Sequence, residues 1–319
     1  MSKNVLVTGG AGFIGSHLVE RLLAEGDRVV ALDNFDEFYN PALKRRNLRK
    51  AQAHPRFLLM EGDLREPGLL EGLLQKEKFD AVAHLAARAG VRPSIQNPLL
   101  YTDVNIRGTL QVLEACRKSG TRRLVFASSS SVYGNISKVP FSEEDPVGRP
   151  ISPYAATKRA AELMCHTYHH LYGLDIACLR FFTVYGPRQR PEMAIHHFTR
   201  LIHEGKKISL FGDGKTSRDY TYIDDIVDGT LGALSREHGF EIYNLGESRT
   251  IELARLVQAI EKQLGRKAVL EYLPAQPGDV EQTFADIRKA RERLGYRPHT
   301  DLEEGLSRFV RWYLEEGSS

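Results

Sequence analysis

Short apolar runs alternating with helical stretches constrain this chain more than any other feature of its sequence. Residues 5–8, 28–33, 57–61, 81–85 and 123–128 are β-rich, and most of these runs are apolar throughout rather than at every second position. A strand of that kind is covered on both faces, so it belongs inside a sheet with helices above and below. Amphipathic stretches near 16–24, 68–75, 99–118 and 153–172 are interleaved with them, and a further strand is expected over 175–182. The βαβαβ order predicts an α/β fold built on a Rossmann-like, doubly wound parallel sheet. After Pro187 the rhythm changes: a helix over 191–203, a strand over 207–211 and a glycine turn at 212–214 predict a smaller C-terminal α/β lobe. The chain is accordingly divided into a first domain over 1–186 and a second lobe over 187–319. Segments near 220–248, such as 224–234 and 240–245, are left open to either.

Composition excludes several function classes. Lys and Arg number 44 against 41 Asp and Glu, a formal charge of +3 over 319 residues. That gives no broad field for a phosphate backbone, so no nucleic acid is expected as partner. No apolar run reaches the ~18 residues of a membrane span, and the N-terminal MSKNVLVTGG lacks the regions of a secretory signal. A cytoplasmic protein without membrane contact is expected. Cys116, Cys165 and Cys178 are widely spaced without a CxxC pair, and read as reduced packing residues. His166, His169, His170, His196 and His197 have no carboxylate at ligand spacing, so no metal is expected.

The segment VLVTGGAGFIGS (5–16) matches G-x-G-x-x-G through Gly10, Gly12 and Gly15, or G-x-x-G-x-x-G through Gly9, Gly12 and Gly15. Either placement tightens a strand-to-helix turn, brings backbone close to a pyrophosphate, and aims the N–H groups of a helix start, around Phe13 and Ile14, at the anion. Asp33 closes the second strand 24 residues after Gly9, which is the context that makes the pattern a dinucleotide site. A carboxylate there accepts hydrogen bonds from ribose hydroxyls and repels an added phosphate, so NAD is expected over NADP. The basic run Lys44, Arg45, Arg46, Arg49 and Lys50 is expected to be a solvated helix face. Asp63, after the third strand, is a candidate for the adenine edge, with a helix N-cap as the alternative.

Tyr154 and Lys158 stand four residues apart on the stretch 153–172, so both project from one helix face. The preceding strand ends in Ser128, Ser129, Ser130 and Ser131, which puts hydroxyls at the carboxyl edge of the sheet, where open α/β sheets hold ligands. An ammonium and a positive nicotinamide ring beside a phenol of pKa ~10 lower it toward neutrality, a shift of ~3 units or ~4 kcal/mol. Tyr154 is thus expected to act as a base near pH 7.

These residues, with His84-Leu-Ala-Ala87, Asn105 and the segment RDYTYIDD (218–225), resemble the extended short-chain dehydrogenase/reductase family, in particular its nucleotide-sugar epimerases and dehydratases. The resemblance runs nearly the whole chain. It implies Tyr154 as acid/base, Lys158 on the nicotinamide ribose and on the Tyr154 pKa, and Ser129 on the reacting hydroxyl, with Ser128 and Ser131 near enough to share that role. It also implies cofactor contacts from Asn34, Leu64, Leu85, Ala86, Ala87, Asn105, Ser128 and Phe181. Substrate contacts are implied from Arg88, Ser131, Thr183, Arg190, Met193, Arg218 and Asp279. The family's dehydratases carry an acidic pair where this chain has Ser130 and Ser131, and its decarboxylases carry a Glu where Ser131 stands, so oxidation or epimerisation remains. Residues 33–40, 87–94 and 180–191 look most like the UDP-glucuronate 4-epimerases, with Arg190 matching an Arg used near the sugar carboxylate. Arg88 departs from the Gln usual at its position. A UDP-sugar substrate and a homodimer through the helical stretches 99–118 and 153–172 are implied. A UDP-glucose 4-epimerase, a UDP-glucuronate decarboxylase and a non-catalytic NAD-binding scaffold stay open as alternatives.

Overall fold

The structure, a computed structural model, describes residues 2–274 and 280–317. Its central sheet has seven strands, all parallel, in the order β11-β6-β5-β4-β1-β2-β3. These are β1 (Asn4–Thr8), β2 (Arg28–Asp33), β3 (Phe57–Glu61), β4 (Ala81–His84), β5 (Arg123–Ser129), β6 (Asp175–Phe181) and β11 (Phe240–Leu245). Successive side chains of a strand point to opposite faces, and both faces are dry in β1, β2, β4, β5 and β6, whereas the edge strand β3 is only partly covered and leaves Leu58 41% exposed. Val5 and Val7 of β1 pack into one core with Leu18, Val19 and Leu22 of the helix Phe13–Ala24, while Leu6 joins Leu73, Leu113 and Cys165 in the other. All three cysteines are buried and free. Among the described residues no helix is long and apolar enough to cross a membrane.

The chain order of the strands reverses at β1, which has β2 on one side and β4 on the other. The loops after β1, β2 and β4 therefore converge on one crevice, the usual ligand position of such a sheet. Beyond β6 the chain makes three small pairings. β7 (Thr183–Tyr185) runs parallel to β10 (Tyr220–Tyr222), β8 (Lys207–Phe211) runs parallel to β13 (Val269–Leu273), and β9 (Ser217–Arg218) opposes β12 (Ile251–Glu252). The segment left open by the sequence rejoins the large sheet, because β11 pairs with β6 from Phe240 to Leu245. The helix Ile223–Leu234 puts Ile226 and Val227 into the same core as Leu18 and Val19.

One helical expectation holds with a wider turn inside it, and one is corrected. The stretch 99–118 is helical throughout, with a π-turn at Asp103–Arg107 joining helix Pro98–Thr102 to helix Gly108–Ser119. Asn105 lies in that wide turn, and its side-chain amide bonds both the N–H and the C=O of Arg88 (2.7 and 3.0 Å), a tertiary contact that no helical periodicity records. The helix expected from Pro191 begins at Ala194. Gln189 supplies the start: its Oε1 accepts from the His196 N–H at 3.1 Å, which leaves residues 190–193 as loop.

Candidate active site

One cavity of about 400 Å³ runs along the carboxyl edge of the sheet, and its wall contains Gly9, Asp33, Ala87, Ser129, Tyr154 and Arg190. At one end it is made by backbone. Gly9 has φ +71°, and a Cβ there would meet the Ala86 backbone at 2.8 Å; a Cβ on Gly15 would lie 2.1 Å from the Gly9 carbonyl oxygen. Only glycine fits either position. The helix Phe13–Ala24 starts with no side-chain cap, so the N–H groups of its first turn at Phe13, Ile14 and Gly15 meet the cavity with the positive end of the helix dipole behind them. An uncapped start, glycines packed to contact and a carboxylate one strand away are the features a dinucleotide needs.

Asp33 accepts hydrogen bonds from Ala11 N–H (3.1 Å) and Phe35 N–H (2.9 Å). Burial pushes its carboxyl above the usual range, against the pull of Lys44. Lys44 was expected on a solvated face and is instead buried, its Nζ 3.8 Å from Asp33 Oδ1 and 5.1 Å from the centre of the Tyr39 ring. The reason is helical geometry. Within helix Pro41–Asn47, Lys44 and Asn47 face inward, while Arg45 turns out to a paired Glu61 at 2.8 Å. Asp63 lines the cavity without capping a helix. Arg65 grips it through Nε and Nη2 at 2.9 and 2.7 Å, Asn34 Nδ2 donates at 2.9 Å, and the Arg65 bond above all holds its carboxyl well below the carboxylate range.

His84 braces the wall from behind. Thr109 Oγ1 donates to Asn105 O (2.6 Å), so it accepts from His84 Nε2 (3.0 Å), which leaves Nδ1 to accept from Thr8 Oγ1 (2.8 Å). Burial lowers the His84 pKa to about 3 and keeps the ring neutral. Leu64, Leu85, Ala86, Ala87 and Phe181 line the cavity. Asn105 does not: besides Arg88 it bonds Thr157 Oγ1 at 3.0 Å, so it stands behind the wall and ties the β4 loop to the helix Pro153–Tyr172.

That helix carries Tyr154 and Lys158. Ser152 caps it by accepting from Ala155 N–H at 3.1 Å, Pro153 fixes its first turn, and Gly173 ends it in the left-handed conformation. Lys158 reaches back to β5, where Nζ donates to Ala127 O at 2.7 Å, and burial brings its pKa down to about 8. Tyr154 departs from expectation. In the protein alone burial raises the phenol pKa, opposed by a hydrogen bond with Ser129 and by the charge of Arg190, and Lys158 is not among the groups that lower it. The ammonium is engaged by the Ala127 carbonyl, and the second positive charge invoked belongs to a bound nicotinamide.

Of the serines, Ser128, Ser129, Ser130 and Ser131 all line the cavity. Ser128 has its hydroxyl committed elsewhere: it donates at 2.6 Å to Glu162, which forms a buried pair with Arg180 at 2.9 and 3.0 Å. Ser129 accepts from Ser131 N–H at 3.2 Å and remains facing Tyr154. Thr183, Arg88, Arg190 and Met193 join the same wall. Arg218 does not; on β9 it donates to Ser217 O (2.9 Å) and Glu281 O (3.3 Å). Asp279 lies outside the described residues. The sequence reading missed Asp36, Phe38, Tyr39 and Arg65, which the cavity also contains. The signal was positional: Asp36 to Tyr39 follow directly on the carboxyl end of β2.

A family model described as GDP-mannose 4,6 dehydratase matches residues 6–309. A UDP-glucuronate 4-epimerase of Thermodesulfobacterium geofontis is 46% identical over 311 residues, 97% of this chain and 96% of that protein. The crystal structure of UDP-glucuronic acid 4-epimerase from Bacillus cereus, in complex with UDP-glucuronic acid and NAD, superposes with a TM-score of 0.92 at 38% identity, covering 98% of this chain and 99% of that one. The UDP-glucose 4-epimerase from Thermotoga maritima with UDP-glucose superposes with a TM-score of 0.90 at 34% identity over 98% and 99%.

Proposed function

We infer that this chain, which belongs to the extended short-chain dehydrogenase/reductase family matched over residues 6–309, is an NAD-dependent UDP-sugar 4-epimerase that works on UDP-glucuronate. The observation that carries the sugar assignment is that Arg190 shares the cavity wall with Tyr154 and acts electrostatically on its phenol. A guanidinium placed there meets a carboxylate two carbons from the reacting C4 hydroxyl.

The glycine loop, the first-turn N–H groups of Phe13 and Ile14, Asp33 and Lys44 hold the dinucleotide. NAD, when bound, supplies the acceptor and then the donor of the C4 hydrogen. Tyr154 takes the C4 hydroxyl proton with Ser129 hydrogen-bonded to the same oxygen, and the sugar becomes a 4-ketone. Lys158, fixed by Ala127, presents its ammonium from the same helix face. The ketone turns about its diphosphate tether, and Tyr154 returns the proton to the new alcohol, giving UDP-galacturonate without net redox. The ketone is a β-keto acid, and Arg190 keeps its negative charge on the carboxylate, which opposes loss of CO₂. None of Ser128, Ser129, Ser130 and Ser131 is acidic, so the strand end lacks the pair that dehydration requires.

Incubation of purified protein with UDP-glucuronate and with UDP-glucose, without added NAD, tests this reading by NMR and mass spectrometry. A product of unchanged mass with inverted C4 from UDP-glucuronate is expected. A product lighter by CO₂, or conversion of UDP-glucose alone, overturns it. The same reading includes a cytoplasmic homodimer. Leu163 and Leu171, 51% and 59% exposed on helix Pro153–Tyr172, supply apolar surface for a helix-paired interface, and light scattering checks it.

A further inference from the structure

Resting on the UDP-glucuronate reading, we propose that the turn through Asp36 and Phe38 sets the preference for a carboxylate-bearing sugar by holding Arg88 as a second guanidinium beside Arg190. Three loops meet at this point. Phe38 comes from the loop after β2, Arg88 from the loop after β4 and Arg190 from the loop after β7. The guanidinium carbon of Arg88 lies 4.8 Å from the centre of the Phe38 ring, and that of Arg190 lies 5.7 Å from the same centre. One ring thus carries two cations at the wall of one cavity.

Arg88 is unusually constrained. Asn105 fixes its peptide groups on both sides, and Asp36 takes Nη1 in an ion pair. Its side chain is only 21% exposed, and among the described residues Nε is buried with no hydrogen-bond partner. An unpaired buried donor on a cation is costly. The Tyr39 hydroxyl is a second buried group without a partner at the same wall. With Nη1 engaged and Nε buried, Nη2 is the group through which the Arg88 guanidinium meets a carboxylate in the cavity. A hexuronate brings a counter-charge to a wall where two guanidiniums share one ring; the CH₂OH of a neutral hexose brings none. Arg190 is held in the same way, with Glu192 3.0 Å from its Nε.

Titration calorimetry of NAD-loaded protein with UDP-glucuronate and UDP-glucose tests the assignment. In Arg88→Gln the Kd ratio of UDP-glucose to UDP-glucuronate should fall about tenfold, with a smaller fall in Arg88→Lys, which keeps charge but loses the planar fork. Phe38→Leu and Asp36→Asn should move the ratio in the same direction by less. Equal weakening for both sugars, or an unchanged ratio, overturns the proposal. So does a fall in NAD content on gel filtration with the ratio preserved, which assigns Arg88 to the cofactor pyrophosphate. Circular dichroism melting confirms folding, and Arg88→Lys with Phe38→Leu keeps the question decidable should Arg88→Gln not fold. A wild-type protein that fails to bind UDP-glucuronate refutes the parent reading instead.

Discussion

The two ends of the cavity are built differently. At the dinucleotide end recognition is by backbone: Gly9 and Gly15 tolerate no Cβ, and an uncapped helix start supplies the donors. The end that we assign to the sugar is built of side chains on loops, with Arg88 paired to Asp36 and Arg190 to Glu192 around Phe38. Backbone recognition is rigid and admits few sequences. Loop side chains can be exchanged one at a time, which is how a shared fold takes different sugars.

The largest effect expected is at the junction of the two ends. Tyr154→Phe should lower kcat about a thousandfold while the Kd for UDP-glucuronate stays within about threefold, measured by turnover and calorimetry. A Kd that collapses with kcat would merge chemistry and binding into one unit. Next, Gly15→Ala places a Cβ 2.1 Å from the Gly9 carbonyl oxygen. Overpacking of this kind costs ~1–3 kcal/mol, so NAD affinity should fall by up to about a hundredfold, read as cofactor content after gel filtration. Retention of NAD would show that the loop yields, contrary to the rigidity assigned to that end.

Lys44→Met probes the buried ion pair of Lys44 with Asp33 at the backbone end. Lys44 opposes the burial-driven rise of the Asp33 pKa, so without it the carboxyl rises further. NAD affinity should then weaken about tenfold and weaken more as pH falls, because protonated Asp33 loses acceptor capacity. A loss independent of pH would reduce Lys44 to packing. The last effect concerns stability. His84 and His17 both have folded pKa values of about 3, set chiefly by burial, against 6.5 when exposed. A depressed histidine leaves the unfolded state binding more protons below pH 6.5. Stability is therefore full above 6.5 and falls as pH drops toward 3, by ~1.4 kcal/mol per unit for each ring. Asp219, raised to about 6 by burial, slopes the other way over the lower part of that window. Urea unfolding between pH 6.5 and 5 should show the fall, and His84→Gln should remove most of what remains after the opposing Asp219 slope; an unchanged slope would place the proton uptake elsewhere.

Much of the backbone end was legible in the chain itself. Strand runs at 28–33 and 57–61 coincide with β2 and β3, and the spacing of Gly9, Gly12 and Gly15 to Asp33 has the geometry it suggested. Lys44 was misread because a run of five basic residues looks uniformly polar, and only the rotation of a seven-residue helix decides that Lys44 faces in while Arg45 faces out. Ser128 looked equivalent to Ser129, yet strand alternation against helix Pro153–Tyr172 hands its hydroxyl to Glu162. The π-turn at Asp103–Arg107 holds Asn105 against Arg88, 17 residues away, a contact that local spacing does not record.

The sequence by itself determined the layered sheet, the glycine turn and the Tyr154–Lys158 face, because each follows from periodicity or sterics within a few residues. Tertiary structure alone decided which cations enter the cavity, which hydroxyl remains available and what the Tyr154 phenol experiences. Those depend on desolvation and on partners brought together from distant loops, and neither quantity is carried by local spacing.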